Sequence, residues 1–269
     1  MHPSSRLTTV LNLLVVSVVL AGLVLFLRQR FVTGPGQAEG LEACFGLTDL
    51  ECQSLKEAQE SQMSGHLAPT IEGTPDLVLD AAEVGSEVGY LCAEVERSGS
   101  LRILRWPEET HSINVWVPPP EGVPPAVARD LQRAAASGVQ VWHQHPFPLT
   151  VSTRSVAQDP DITVGWSRSL GENRLGRAEM RWIKEGGEVT VKITSLKLAT
   201  HYPTSLATEV TPEQLRLVAA HEMGHALGLP HSDSARDVMF PQNTAWRLTQ
   251  RDFRTMEAVY RIPNGALIR

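Results

Sequence analysis

The chain has 269 residues, of which 42% are hydrophobic and 20% charged, a composition that suits one well-buried domain with appendages and argues against two large catalytic domains. Its formal net charge of −6 gives no basis for a nucleic-acid partner. The charge is unevenly distributed, because residues 31–100 hold 13 acidic and two basic side chains whereas residues 101–269 hold 17 and 19.

The first 30 residues carry a long apolar run. Residues 7–27 contain no charged side chain and are about as long as a helix that crosses a bilayer, so residues 1–30 are predicted to form a single transmembrane anchor. Two alternatives stay open: a signal peptide cleaved after Ala21, which would leave a secreted protein, and a buried core helix. Basic residues on the two sides nearly balance, so the sequence alone does not orient the anchor.

Residues 31–100 are predicted to form an acidic stalk or regulatory region. Their composition indicates flexible linkers around a short polar helix at residues 51–63. Cys44 and Cys52 are close enough in sequence to close a small disulfide loop in an oxidising compartment, which would leave Cys92 over. Buried or idle thiols are an equally good interpretation, so the roles of the three cysteines stay open.

Residues 101–269 show the pattern of one folded α+β domain. A proline in the first turn, an apolar stripe and Gly138 as C-terminal cap predict a helix at residues 124–138. Gly186 and Gly187 are predicted to form a turn between the last two strands of the following set. The predicted strands are residues 113–117, 149–152, 161–166, 175–183 and 188–198. Together these elements indicate a mixed sheet with helices packed on it.

A second helix is predicted to begin at Thr211. Thr211 suits the N-cap, Pro212 the first helical position and Gln214 the capping-box position. The helix continues through the sequence HEMGH, so His221 and His225 are four positions apart and lie on one face.

The eleven residues HEMGHALGLPH contain the groups of a catalytic metal site. His221 and His225 can reach one ion, and Gly228 permits the helix to end so that His231 returns as a third ligand. Glu222 lies beside the ligands, where it can act as a base. Three imidazoles with an open fourth position fit catalytic Zn²⁺ better than a closed structural zinc site or oxygen-seeking Ca²⁺ or Mg²⁺. A His and Glu cluster without metal and an inactive zinc site are the alternatives.

The pattern H-E-x-x-H-x-x-G-x-x-H, followed by Met239, resembles the signature of the metzincin zinc endopeptidases, and its surroundings are most similar to the matrixin branch. The similarity covers residues 101–262 and includes the segments 161–166, 175–183 and 247–260. It implies an α+β, metzincin-like zinc protease domain with a twisted mixed β-sheet, one antiparallel edge strand, a long active-site helix and a C-terminal helix.

The resemblance also implies roles for single residues. His221, His225 and His231 are implied to bind one catalytic zinc ion, while structural Ca²⁺ cannot be read from the sequence. Glu222 is implied as the general base for a zinc-activated water, and Met239 as the methionine turn beneath the metal. The implied activity is that of a zinc-dependent metalloendopeptidase, which hydrolyses peptide bonds in extended segments of polypeptide substrates.

In the family that the chain resembles, the strand corresponding to residues 175–183 forms the open edge of the sheet above the zinc helix. Gly176, Arg177, Ala178 and Glu179 are therefore implied to offer backbone groups to a substrate that adds as one more strand. The alternative is an ordinary paired strand with charged residues on its outer face.

The chain departs from the matrixin pattern in three places. No cysteine-bearing propeptide motif precedes the domain, residues 142–145 do not restore the second, structural zinc site, and residues 242–246 form a short connection that leaves the pocket beside the zinc undefined. A catalytically inactive, membrane-tethered zinc-binding module and a zinc-dependent amidase or aminopeptidase are the rival functions. A tethered protease would face the non-cytoplasmic side, and the oligomeric state is not readable.

Overall fold

The computed structural model describes residues 77–269 apart from 85–87, 145–148, 155, 157, 172, 186–187, 243–244 and 246. The predicted anchor, the polar helix at residues 51–63, the Cys44 and Cys52 pair and the turn at Gly186 and Gly187 lie outside the described residues. Within the described residues no helix is both long and apolar enough to span a membrane.

The described part of the chain contains five α-helices and ten strands. The helices are α1 (Ala81–Val84), α2 (Leu91–Ser98), α3 (Pro125–Gln140), α4 (Pro212–Ala226) and α5 (Gln250–Arg261). The strands are β1 (Val78–Leu79), β2 (Leu101–Arg102), β3 (Ser112–Trp116), β4 (Thr150–Arg154), β5 (Ile162–Ser167), β6 (Gly176–Glu185), β7 (Glu188–Ala199), β8 (His201–Tyr202), β9 (Ser205–Glu209) and β10 (Leu267–Ile268).

Five strands form the main sheet in the order β4, β3, β5, β7, β6. Strand β6 pairs antiparallel with β7, and all the other neighbours are parallel. The sheet is thus mixed, with a single antiparallel strand at one edge, and its five strands correspond to the five predicted from the sequence. Among the described residues β6 pairs with a strand on one side only, so the backbone groups on its other side face away from the sheet.

Helices α3 and α4 pack together under this sheet and enclose the main core. Leu131 and Ala135 of α3 are fully buried, as are Ile113 and Val115 of β3, which confirms the predicted apolar stripe and strand alternation. Gly138 does not end α3, which continues to Gln140. A side chain at this position would meet α4, since a Cβ would lie 2.9 Å from that of Ala219. The glycine therefore serves a close helix crossing rather than a cap.

A second, smaller core joins the two ends of the described chain. Helix α2 and the short strand β10 pack against α5, and β10 lies between β1 and β2 in a three-stranded sheet. Gly89 makes the contact possible: it has φ +69°, and a Cβ there would lie 2.8 Å from the backbone nitrogen of Thr255. The N–H of Tyr90 donates to the Thr255 hydroxyl at 3.1 Å. The segment before β3 is in this way fixed to the helix that follows the candidate site.

Candidate metal centre

Helix α4 begins at the predicted N-cap and ends at the predicted glycine, but the predicted capping box does not form, because the Gln214 side chain accepts from the Tyr202 hydroxyl at 3.0 Å instead of bonding to the Thr211 N–H. The Thr211 hydroxyl accepts a hydrogen bond from the N–H of Gln214 at 3.2 Å, as an N-cap should. At the other end Gly228 has φ +98°, its N–H donates to the His225 carbonyl, and the next N–H reaches back to the Gly224 carbonyl at 3.0 Å. These two bonds form a Schellman motif, which reverses the chain directly after the helix.

The reversal brings three imidazole rings together. His225 Nε2 lies 3.1 Å from His221 Nε2 and 3.2 Å from His231 Nε2, and the ring centroids are 4.7 to 5.3 Å apart. All three ligand atoms lie within 4.8 Å of one another. The structure therefore places the three histidines as a group that can hold one metal ion.

Backbone carbonyls orient two of the rings. His221 Nδ1 lies 2.9 Å from the Val238 carbonyl, and His225 Nδ1 lies 2.9 Å from the Leu229 carbonyl. A carbonyl oxygen only accepts, so each Nδ1 carries the proton and each Nε2 presents its lone pair to the centre. This arrangement is the usual support of metal-binding histidines.

The donor set fits zinc. Tetrahedral zinc with Zn–N bonds of about 2.0 Å keeps neighbouring nitrogens about 3.3 Å apart, close to the measured 3.1 and 3.2 Å. Three neutral imidazole nitrogens without a carboxylate or carbonyl ligand disfavour Ca²⁺ and Mg²⁺. In a tetrahedral site the fourth position would be left for water or substrate.

Glu222 is buried beside the histidines and contacts the edge strand. The N–H of Ala178 in β6 hydrogen-bonds to its carboxyl group, and Oε2 has no hydrogen-bond partner among the described residues. Burial raises the pKa of Glu222 to about 8, against the opposing effects of the Ala178 N–H and the Arg174 charge. A bound dication would favour the ionised carboxylate.

Gly176 permits this contact between β6 and α4. A Cβ at residue 176 would lie 2.5 Å from Glu222 Oε1, 2.5 Å from Val218 Cγ1 and 2.6 Å from Glu222 Cγ. Ordinary van der Waals contact begins at 3.4 Å. Only a residue without a side chain therefore allows the edge strand to approach the carboxylate at this distance.

Met239 packs against α4 as part of a tight loop. It is fully buried, and a Cβ on Gly224 of α4 would collide with its sulfur and meet the Trp142 ring at 2.8 Å. The Met239 carbonyl accepts from the N–H of Ser232, directly after His231. Met239 thus packs against the helix that carries two of the histidines and fixes the loop that carries the third.

Two buried carboxylates hold this loop, and neither is evident from the motif. Asp237 accepts from the Ser232 hydroxyl at 2.5 Å, from the Thr249 hydroxyl at 2.7 Å and from Arg251 at 3.0 Å. Asp252 caps α5 and accepts from the N–H of Val238 at 3.2 Å. The Val238 carbonyl in turn orients His221, so α5 supports the metal centre through two hydrogen bonds.

Tyr90, which lies next to the second core, contacts the same side chains of α5 that hold the loop. The Tyr90 hydroxyl donates to Asp252 at 3.4 Å, and the guanidinium of Arg251 lies 5.6 Å from the centre of the Tyr90 ring. Burial raises the pKa of Asp252, in opposition to the hydrogen bonds from Thr249 and Val238. A signal for Asp252 does exist in the sequence, since Thr249 followed three residues later by an acidic residue is a capping pattern.

A cleft of about 590 Å³ opens at the metal centre. One wall is β6, which contributes Arg177, Ala178 and Glu179 and continues to Trp182. Residues of α2 and β2 also line the cleft, as do His225 and His231 of the histidine triad. The four edge-strand residues named from the sequence therefore lie beside the metal centre, with Gly176 against Glu222 and the other three in the cleft.

The other histidines that the structure describes do not join the site. His111 is exposed and precedes β3, while His201 is buried in β8 with its Nδ1 2.9 Å from the Thr200 hydroxyl. His143 is exposed in the turn after α3, and the triad is the one group of three potential metal ligands among the described residues.

A family model described as Matrixin matches residues 125–261. The matched region starts with α3, ends with the last residue of α5 and contains the three histidines, Glu222 and the methionine loop. A comparison with curated proteins gives no match.

Proposed function

Since this chain belongs to the matrixin family of zinc metalloproteases, we propose that it is an active endopeptidase, which hydrolyses internal peptide bonds in extended segments of other proteins. The observation that carries the proposal is the buried Glu222 carboxylate, held by an edge-strand N–H directly beside the histidine triad. Metal binding alone does not require a carboxylate in this place.

The residues divide the chemistry among them. His221, His225 and His231 would hold zinc, which supplies a Lewis acid that activates water and polarises the scissile carbonyl. Glu222 accepts the proton of the attacking water and then delivers it to the departing amine. The Ala178 N–H holds the carboxyl group and leaves Oε2, which has no partner among the described residues, for this transfer.

A peptide library tests the activity. The full-length chain, incubated with mixed peptides and zinc, should release fragments cut at internal bonds, and a chelator should stop the reaction until zinc is restored. Glu222→Gln is the matched control, because it preserves size and polarity but removes the base. Zinc binding without any hydrolysis would support the rival function, an inactive interaction module, and release of single terminal residues would support an aminopeptidase.

We further propose that the substrate binds as an additional strand on β6. Strand β6 is the edge of the main sheet, and its outer side faces the cleft. Proline lacks an N–H, so proline introduced at a substrate position that pairs with β6 should prevent cleavage although the scissile bond is unchanged. A series with proline moved stepwise along a cleaved peptide measures this, and uniform tolerance would contradict strand addition.

The location of the protein is also proposed. Residues 7–27 are apolar and long enough to act as a single-pass anchor, and a protease of this kind would act outside the cytoplasm. Protease treatment of sealed cells should therefore digest the C-terminal domain. A protected domain would contradict the topology, and a soluble domain in the medium would indicate that the N-terminal segment is a cleaved signal.

A further inference from the structure

The cleft is lined by charged side chains from β6 and from the segment that contains α2 and β2. Arg177 and Arg181 belong to β6, and Arg102 belongs to β2. Of the described residues that line the cleft, four are arginines and two are glutamates. The lining therefore carries a positive excess before any metal is bound.

Both glutamates already have cationic partners. Glu94 forms a two-pronged contact with Arg97 in the same helix, at 3.2 and 2.6 Å. Glu179 lies 3.1 Å from Lys197 of the neighbouring strand and accepts from the Ser195 hydroxyl at 3.2 Å.

Two edge-strand arginines face the cleft with little internal compensation. Arg177 Nε lies 3.8 Å from Glu179 Oε1, and the same carboxylate lies closer to Lys197. Arg181 is exposed. Each guanidinium offers several N–H donors in a planar fork that matches a carboxylate.

We propose that this cleft selects substrates with acidic side chains near the scissile bond, which identifies the substrate class as acidic extended segments. The proposal rests on the proposed endopeptidase function. Arg177 and Arg181 are the specificity-determining residues, because they line the same strand to which the substrate backbone would pair.

The strand sets the positions at which an acidic residue is recognised. Gly176 lies against Glu222, so the start of β6 marks the reacting centre. With a rise of about 3.3 Å per residue, Arg181 lies about 13 Å farther along the strand than Arg177, which equals about four substrate residues. Antiparallel pairing is the more stable arrangement, and it places these residues on the N-terminal side of the scissile bond.

Matched peptides test the selection. Starting from one cleaved sequence, a single glutamate or glutamine is placed at each of the five positions on either side of the cut, and kcat/KM is measured with the full-length chain. Glutamate at the recognised N-terminal positions should raise kcat/KM about two- to fivefold per arginine contact, as expected for exposed ion pairs. The preference should shrink at 0.5 M salt, where the Debye length falls to roughly 4 Å.

Variants assign the effect to the cleft. Arg181→Gln and Arg177→Gln should each reduce the preference for glutamate over glutamine, and Arg181→Glu should favour a lysine peptide instead. Arg129→Gln is the matched control, because Arg129 is exposed on α3 and does not line the cleft, so it should retain the preference.

A binding measurement separates this inference from the proposed function. Fluorescein-labelled glutamate and glutamine peptides are titrated with the Glu222→Gln chain, in which turnover is suppressed, and anisotropy is recorded. Glutamate-selective binding without hydrolysis by the wild-type chain would overturn the endopeptidase function and support acidic selection. Equal binding and equal hydrolysis of the two peptides would overturn acidic selection alone.

Discussion

Replacement of Gly176 by alanine should damage activity more than its size suggests. The new Cβ would lie 2.5 Å from Glu222 Oε1, whereas ordinary contact begins at 3.4 Å, so the strand and the carboxylate must separate by about 0.9 Å. Forced insertion of one methyl group into a packed contact costs about 1–3 kcal/mol of stability. A displacement of about 1 Å at a reacting group can reduce the rate about 10²-fold.

The assay compares two alanine substitutions in one sheet. A Cβ at Gly165 in β5 would meet its nearest atom at 3.8 Å, so Gly165→Ala should leave the rate and stability nearly unchanged. Gly176→Ala should retain stoichiometric zinc, because Glu222 is not among the three grouped ligands, while kcat/KM for a cleaved peptide falls. Equal kcat/KM for the two variants would refute the reasoning that β6 positions Glu222.

Three further changes test the rest of the site. His225→Ala should lose most of its zinc by metal analysis, because two ligands remain, and its melting temperature should no longer respond to a chelator, which should lower that of the wild type by several degrees. Glu222→Gln should keep its zinc and lose on the order of 10² to 10⁴ in kcat; near-normal turnover would place the base elsewhere. Asp237→Ala should lower the free energy of unfolding in urea by about 2 kcal/mol, since it removes the buried carboxylate that accepts from Arg251 and from the Ser232 hydroxyl, and a loss below about 0.5 kcal/mol would show that the carboxylate does not hold the loop.

Local rules are sufficient for the elements around the site. Alternation predicts β3, because every second residue is fully buried, and Thr211 with Pro212 predicts the start of α4. Local sequence rules fail where a contact joins residues that are distant in sequence. Gly138 is a residue type typical of a helix C-terminal cap, but it lies at the contact with α4. The strands β1, β2 and β10 have two residues each and are too short to show any periodicity.

Some residues of the candidate site can likewise be predicted from the sequence around them, and others cannot. The spacing of His221, His225 and His231 is a property of one helix and its end, so the triad is predictable from adjacent residues. The roles of Asp237 and Gly176 depend on partners from other elements, respectively α5 and α4, and no local pattern names them. The second core could not be predicted from the sequence for the same reason, since α2 packs against α5 and β10, which are distant from it in the chain.

The central position of β10 has a consequence for the order in which the molecule assembles during synthesis. Strands β1 and β2 both pair with β10 at residues 267–268 rather than with each other, so neither can join the sheet before β10 is synthesised. Arg102 and Gly265, which are hydrogen-bonded across this corner, are 163 residues apart. Contacts of such separation form slowly and leave sheet edges exposed in the nascent chain. Because α5 also supports the metal loop, a ribosome must release residues 250–261 before the histidine triad acquires its rigid frame.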